Sequence, residues 1–582
     1  MTTLATGNLG SAGEAGDSLP AILARRACLS PDEACLHIVK FVNREPVAAP
    51  YSSRELFSFV ERAAVVLTKQ RVEAGDRVLL SLSNAADFLS FMVGAQCLGA
   101  IAVPAPSVSE LPRKAFALRL AAIAKDAAPA VAVVDDDVAR DAVEQECPGT
   151  DVLPLTSCFE GTLDATPDAF DPNRSPDDIA FLQYTSGSTG APRGVVVRHR
   201  NLVANIRAIL SGAAIARDDV IYSWLPLFHD MGLVAGLSLG LYAKLKTYLA
   251  SPKTFISRPE SWLRAITSFG VTFSAGPNFA FDILANRVPD RALDGIDLKT
   301  WRLAFNGAEP VQPRTMEAFT RRYARYGFRN TSFRPAYGLA ECTLAVTFTR
   351  PDMPNCVDTV DSELMQRRAT ATSATASTRH SVTYTSVGVP IPEHRVHIVY
   401  PDGSERLPER HVGEIVVEGP SVTSGYFGQV ENAEPDRKEL RTGDLGYVAN
   451  GELFVVGRLK DLVIVAGRKY APSDIEQRVG ALEGVRKNDV VAFAIGAAGT
   501  DAVCVAAALE PGAVSRRAAI IRDIHLTIMA DFALTLADVI LIRPGELPRT
   551  SSGKIMRSAC AALYRTAGWG ERSDTPATVS IS

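Results

Sequence analysis

The chain has 582 residues, of which 47% are apolar and 22% charged, with a formal net charge of -4. That is a soluble globular composition, too long for one ordinary core, and at about 150 residues per unit it implies about three to four domain-sized units. No broad basic field is present, which argues against a nucleic-acid partner.

Nine cysteines, at 28, 35, 97, 147, 158, 342, 356, 504 and 560, are odd in number, scattered and never spaced C-x-x-C. They suggest neither a disulfide framework nor a zinc site, so reduced thiols and a cytoplasmic location are expected. The opening M-T-T-L-A-T-G-N-L-G-S-A-G lacks the basic and apolar regions of a signal peptide and reads as a frayed tail. The longest charge-free run, 88–109, is broken by Gly94, Gln96, Gly99, Pro104 and Pro106. A membrane span needs roughly 18 consecutive apolar residues, so the run predicts a buried helix feeding a strand and no integral membrane association.

In chain order, residues 53–70 carry apolar side chains at helical spacing, 77–82 read as a strand, and 130–134 form a short β run. Helix and strand patterns alternating to about residue 180 predict a parallel, doubly wound α/β sheet. Residues 183–199, Q-Y-T-S-G-S-T-G-A-P-R-G-V-V-V-R-H, follow. Thr185, Ser186, Ser188 and Thr189 set hydroxyls beside Gly187, Gly190 and Gly194, and a β-branched run comes next, so the stretch predicts a loop returning into a strand. Such a loop offers N–H groups and hydroxyls to a phosphate. It lacks the G-K-[S/T] and following helix of the common nucleotide loop, and by composition alone it also reads as a solvated linker.

The ordered string T-S-G-S-T-G-A-P-R-G resembles the phosphate loop of the adenylate-forming enzymes, which include acyl-CoA synthetases, luciferases and peptide-synthetase adenylation domains. The resemblance implies that Thr185, Ser186, Gly187, Ser188, Thr189 and Gly190 bind the phosphates of ATP. Arg193 stands where most relatives carry Lys, which keeps the charge but replaces a point charge by a planar fork. Asn201 is expected to cap a helix striped by Leu202, Ile206 and Leu210.

Further along, W-L-P-L-F-H-D-M-G-L at 224–233 is apolar except for His229 and Asp230. A lone His in such a setting reads as a core residue, whereas the resemblance implies that His229, Asp230 and Met231 line an acyl pocket, with His229 near the carboxylate and not acting as a base. F-S-A-G-P-N-F-A-F-D at 273–282 continues that pocket with Phe279 on an aromatic wall. Asp282 lies close to where peptide-synthetase domains hold an amino acid's ammonium, but F-A-F-D resembles the fatty-acid-using branch. An uncompensated carboxylate beside an alkyl chain would cost several kcal/mol, so Asp282 is expected to face elsewhere.

R-L-A-F-N-G-A-E-P at 302–310 reads as a strand, and the resemblance implies that Gly307, Ala308 and Glu309 pack on adenine. A-Y-G-L-A-E-C-T-L at 336–344 resembles the next core motif, implying that Ala336, Tyr337, Gly338 and Leu339 adjoin the purine and that Glu341 coordinates Mg2+ on the triphosphate. One protein carboxylate beside phosphate oxygens suits that hard cation. Residues 350–386 shift to Arg, Ala, Ser and Thr, a composition that reads as a disordered loop. Their position also resembles the insertion that distinguishes fatty acyl-AMP ligases and hinders the rotation admitting coenzyme A.

From 387 onward short β runs separated by P-D-G, R-T-G-D and A-N-G turns predict a distorted β-barrel. R-T-G-D-L at 441–445 resembles the ribose motif, with Asp444 accepting from sugar hydroxyls; in G-R-L-K-D at 457–461, Arg458 approaches ribose and phosphate and Lys460 is the hinge. Ser473 and Glu476 have capping-box spacing. L-P-R-T-S-S-G-K-I-M-R at 547–557 resembles the motif whose lysine, here Lys554, spans the acyl carboxylate and the α-phosphate.

The chain is therefore identified with the fatty acyl-AMP ligases over about residues 20–565. The resemblance implies a large domain, 1–457, of parallel βα sheets plus the barrel, and a mobile α/β lid, 458–582. Lys554, Glu341 and His229 are the catalytic candidates, ATP and Mg2+ the cofactors, and a fatty acid and a carrier protein, free or within a polyketide or nonribosomal peptide synthase, the partners. An acyl-CoA synthetase, a non-catalytic nucleotide or lipid sensor and an amino-acid activator remain as alternatives.

Overall fold

The structure, a computed structural model, describes residues 18–572 apart from 109, 111–112, 136, 159–165, 186–191, 352, 430–438, 466–467, 496–501, 533, 550–554, 567–568 and 570. Its first sheet has six strands in the spatial order Asp151–Pro154, Val131–Val134, Arg77–Ser81, Ile101–Pro104, Ile179–Thr185 and Arg193–Arg198. All neighbours are parallel except the last pair, an antiparallel hairpin in which Thr185 faces Arg193. Val131–Val134 is buried at every position, as expected of a parallel strand covered on both faces.

The second sheet has nine strands. Its parallel centre runs Phe333–Gly338, Leu303–Gly307, Phe273–Pro277, Val220–Ser223, Lys246–Ala250 and Ala34–Val42. Antiparallel Glu45–Ser52 closes one edge, with Ala345–Phe348 and then Val389–Pro390 at the other. Behind it, Trp262, Phe281 and Trp301 form a buried aromatic core with ring centroids 5.1 to 6.0 Å apart. The expected helix at 53–70 appears as Ser53–Lys69, and the charge-free run folds as helix Ala85–Cys97 and strand Ile101–Pro104. Among the described residues no helix is long and apolar enough to cross a membrane.

Asn201 does not cap its helix from outside. The helix is His199–Gly212, and Asn201 sits inside the first turn, where its side chain accepts the Arg198 N–H at 3.2 Å. Leu202, Ile206 and Leu210 are buried along it.

The expected barrel is an open sheet. Arg395–Val399, Gly413–Glu418, Glu439–Ala449 and Glu452–Arg458 pair antiparallel in that order, and among the described residues no pairing joins first to last. Part of the far edge is already taken: Ser386 bridges Phe454, and Val387 N–H donates to the Leu453 carbonyl, which competes with closure there. The stretch 350–386 is an ordered hairpin of Val357–Asp361 and Ser381–Thr385 carrying the helix Ser362–Arg368. Asp358 anchors it through Tyr447 Oη and Arg410 Nη1, each at 3.0 Å, and Tyr384 Oη donates to Asp474 Oδ2 at 2.9 Å.

Beyond residue 462, Val485–Ile495, Ala502–Leu509 and Leu536–Ile542 form a small sheet with Glu571–Arg572, around two hydrophobic clusters drawn wholly from residues 463–569. The Ser473–Glu476 capping box is absent because the helix opens at Pro472 with Ala471 as its N-cap, two residues before the expected Ser473 cap. Glu476 instead accepts from Arg557 Nη2 at 2.6 Å and from the Ala492 N–H at 3.0 Å.

Candidate active site

Loops leaving the C-terminal ends of parallel strands converge above the nine-stranded sheet, the place where open α/β sheets leave a crevice. The cavity there, of about 260 Å³, is walled by Gly307 and Ala308 from one strand end and by Ala336, Tyr337, Gly338 and Leu339 from the next. Thr185 and Arg193 face it from the six-stranded sheet, His229, Asp230 and Met231 from the start of the π-helix Met231–Ser238 and the turn before it, and Glu341, Arg458 and Lys460 also line it.

Backbone geometry shapes this wall. A Cβ on Gly338 would lie 1.9 Å from the Leu344 carbonyl oxygen, and one on Gly232 would lie 2.1 Å from that of Pro226. Only glycine permits those approaches. Ala308 holds φ at 64°, a left-handed conformation that costs a side-chain-bearing residue about 1–2 kcal/mol. Outliers of this kind gather at functional sites.

Polar groups in the wall are fixed in pairs. Tyr337 Oη donates to Asp444 Oδ2 at 2.8 Å, and Arg458 Nε lies 3.2 Å from Asp444 Oδ1. Burial first, and then the Asp444 charge, holds the Tyr337 phenol far above its ordinary range, so it stays a neutral donor. Thr442 Oγ1 accepts the Asp444 N–H at 3.1 Å and donates to the Ile415 carbonyl at 2.8 Å, setting that carboxylate beneath the cavity rim. His229 Nδ1 stands 2.7 Å from Asp230 Oδ1. Burial, followed by the Arg458 cation, lowers the Lys460 ammonium.

Three predicted residues are not on the cavity wall. Asp444 lies below it, while Glu309 turns toward the helix Asn278–Arg287, where its Oε1 accepts the Phe279 N–H at 2.5 Å. A carboxylate at a helix start gains both a hydrogen bond and a favourable dipole, which draws Glu309 and Phe279 to each other. Ser186, Gly187, Ser188, Thr189, Gly190 and Lys554 lie outside the described residues. Asp282 points away, accepting from Lys487 Nζ at 3.0 Å and Asn488 Nδ2 at 3.1 Å.

Several wall residues escaped sequence reasoning. Tyr426 donates from Oη to Glu341 Oε1 at 2.6 Å while its ring carries the Arg193 guanidinium 4.0 Å above the centroid. Arg119 faces the cavity from the helix Arg113–Ala127, its cation weakened by burial. Gln183 Nε2 donates to the Phe228 carbonyl at 2.6 Å, holding the turn before His229. Of these, S-G-Y-F at 424–427 carried a local signal, a glycine before an exposed-type aromatic pair, with Gly425 at φ 126°.

A crevice with cations at its mouth and glycines in its wall is that of a nucleotide-binding enzyme. The family model for AMP-binding enzymes matches residues 31–427. The medium-chain-fatty-acid–[acyl-carrier-protein] ligase JamA of Moorena producens is 34% identical over 545 residues, 90% of this chain and 91% of its own. A solved structure among the fatty acyl-adenylate ligases of E. coli and L. pneumophila superposes with a TM-score of 0.86 at 32% identity, covering 94% of this chain and 98% of its own. The L. pneumophila fatty acyl-adenylate ligase in complex with acyl adenylate and pyrophosphate gives 0.71 at 30% identity, covering 96% and 97%. The chain belongs to the AMP-binding enzyme family and, within it, to the fatty acyl-AMP ligases.

Proposed function

We propose that this protein joins a fatty acid to the AMP portion of ATP, releasing pyrophosphate, and then passes the acyl group to the phosphopantetheine thiol of an acyl carrier protein or of a synthase carrier domain. One observation carries the reading: a single cavity in which a mouth bearing Arg193, Arg458 and Lys460 continues into a wall of Phe273, Ala275 and Phe305. A triphosphate suits the first half and an alkyl chain the second.

In this reading a carboxylate oxygen attacks the α-phosphorus, the bond to the bridging oxygen breaks, and pyrophosphate leaves with the electron pair. The reaction needs alignment and charge stabilisation more than proton transfer. The 185–190 loop and Arg193 hold phosphates, Gly307, Ala308 and Ala336–Gly338 (336–338) flank the purine, and Asp444 uses its remaining lone pairs for a ribose hydroxyl. Glu341 accepts one hydrogen bond through Oε1 and keeps further hard-oxygen lone pairs, the donor type Mg2+ takes. That cation, when bound, supplies neutralisation of the triphosphate. Lys554 reaches the carboxylate and α-phosphate together. In the second step the thiol sulfur attacks the acyl carbonyl carbon and AMP departs.

Residues 1–457 form the adenylating body and 458–582 the lid in this scheme, turning at Lys460; the hydrophobic clusters confined to 463–569 support it. The 350–386 hairpin, tied to Asp474 by Tyr384, favours a carrier thiol over coenzyme A by resisting that turn. Incubation with Mg·ATP and decanoate should yield decanoyl-AMP by mass spectrometry with matching pyrophosphate, and transfer to a phosphopantetheinylated carrier but little to coenzyme A. Pyrophosphate release that requires an amino acid instead of a fatty acid would refute the proposal.

A further inference from the structure

We infer that this chain selects medium-length acyl chains of about eight to ten carbons, and that Phe273, Phe305 and Phe348 set the limit by closing the far end of the acyl channel. The inference rests on the proposed adenylation of a fatty acid. Its starting point is direction. The polar wall sits at the C-terminal ends of the strands, where Pro277 pairs with Gly307. Going back down the same face, Ala275 pairs with Phe305 and Phe273 with Leu303. Ala275 leaves space, whereas the rings of Phe273 and Phe305 meet with centroids 5.2 Å apart.

Phe348, from the antiparallel strand Ala345–Phe348 on the far side of Phe333–Gly338, stands edge-on to Phe305 at 5.4 Å and 89°. All three rings face the cavity, and all three residues are otherwise buried. Behind Phe348 no slack remains: a methyl group added to Gly212, at the end of the helix His199–Gly212, would touch the ring tip at 2.8 Å. The stop therefore rests on helix backbone and cannot retreat as a loop would.

Depth then converts to chain length. Phe273 lies four positions before Pro277, about 13 Å down a strand rising roughly 3.3 Å per residue. An extended alkyl chain, with single bonds of about 1.5 Å at near-tetrahedral angles, advances about 1.25 Å per carbon. About ten carbons thus reach the level of Phe273, and the ring itself removes about one or two of these. Met231, Ala235 and Ile209 supply the apolar sides, so each methylene buried short of the stop is worth about fourfold.

The test is kcat/KM for acyl-AMP formation with saturated acids from six to eighteen carbons. The wild type should rise with length to an optimum at eight to ten and fall beyond it. Phe348→Ala should move the optimum up by about two to four carbons and raise the ratio of the fourteen-carbon to the eight-carbon acid at least tenfold. Ala275→Leu should move it down. Should Phe348→Ala fail to fold, Phe348→Leu must shift the profile in the same direction by less, while Ala275→Leu shifts it the opposite way. Equal use of eight- to eighteen-carbon acids by the wild type, or active variants with an unmoved optimum, overturns this inference and leaves adenylation standing. A wild type that adenylates no fatty acid overturns both.

Discussion

Replacing Tyr426 by Phe removes one hydroxyl and nothing else from the cavity wall. In the native chain that hydroxyl donates to Glu341 Oε1 at 2.6 Å, and the ring beneath it carries Arg193 at 4.0 Å. A hydrogen bond to an ionised carboxylate contributes about 1.5–3 kcal/mol, and because both groups adjoin an open cavity the lower figure applies. About 1.5 kcal/mol is roughly a tenfold rate effect. The phenyl ring of Phe preserves the cation–π contact, so Tyr426→Ala should lose a further ~0.5–1 kcal/mol, or about two- to fivefold. Decanoate-dependent pyrophosphate release, measured across a Mg2+ titration, should show kcat/KM for ATP falling about tenfold in Tyr426→Phe, with more Mg2+ needed for half-maximal rate. ATP kinetics within twofold of wild type at limiting Mg2+ would refute the idea that Tyr426 orients Glu341.

Burial pushes the Asp474 carboxyl up to about 7. Its unfolded value is about 3.9, so the associated stability is fully present below about pH 4 and is lost, by a few kcal/mol, as pH rises through 7. Asp474→Asn should flatten the pH dependence of denaturant midpoints over that range, leaving the slope due to buried Glu476, whose carboxyl is also raised by burial; an unchanged slope contradicts it. Deleting 355–380, or Tyr384→Phe to a lesser degree, should increase acyl-CoA formation relative to carrier loading, and an unaltered ratio would remove the hairpin from the choice of acceptor. Arg119→Ala should weaken pyrophosphate-dependent ATP synthesis from acyl-AMP by about tenfold, the effect expected if this cavity-lining cation binds a phosphate in the proposed reaction. Normal exchange in that variant would limit Arg119 to a packing role.

Much of the site was legible because its chemistry is local in the chain. A-Y-G-L-A-E and G-R-L-K-D each carry their polar groups within a few residues, and Arg193, Glu341 and Lys460 do meet at one cavity, whereas most of T-S-G-S-T-G lies outside the described residues. What stayed hidden depends on partners far apart in sequence. Tyr426 matters through Glu341, 85 positions away, and Asp282, expected to face away from the pocket, finds its partner in Lys487, 205 positions on. Glu309 was expected on adenine, but an open helix start nearby competes for its carboxylate. The barrel failed for a similar reason, since the edge it needed pairs with residues 386–387, before the sheet begins. Chain length was illegible because Phe273, Phe305 and Phe348 lie on three separate strands.

The most direct test compares the wild type with Lys554→Ala for decanoyl-AMP formation from Mg·ATP and decanoate, read by mass spectrometry alongside pyrophosphate. Opposite unit charges about 4 Å apart at an effective dielectric near 20 attract by roughly 4 kcal/mol, so losing the ammonium should slow adenylation about 100- to 1,000-fold. Decanoyl-AMP made readily by the wild type and barely by the variant is the expected result. Equal rates in the two proteins, or no decanoyl-AMP from either, would contradict the account.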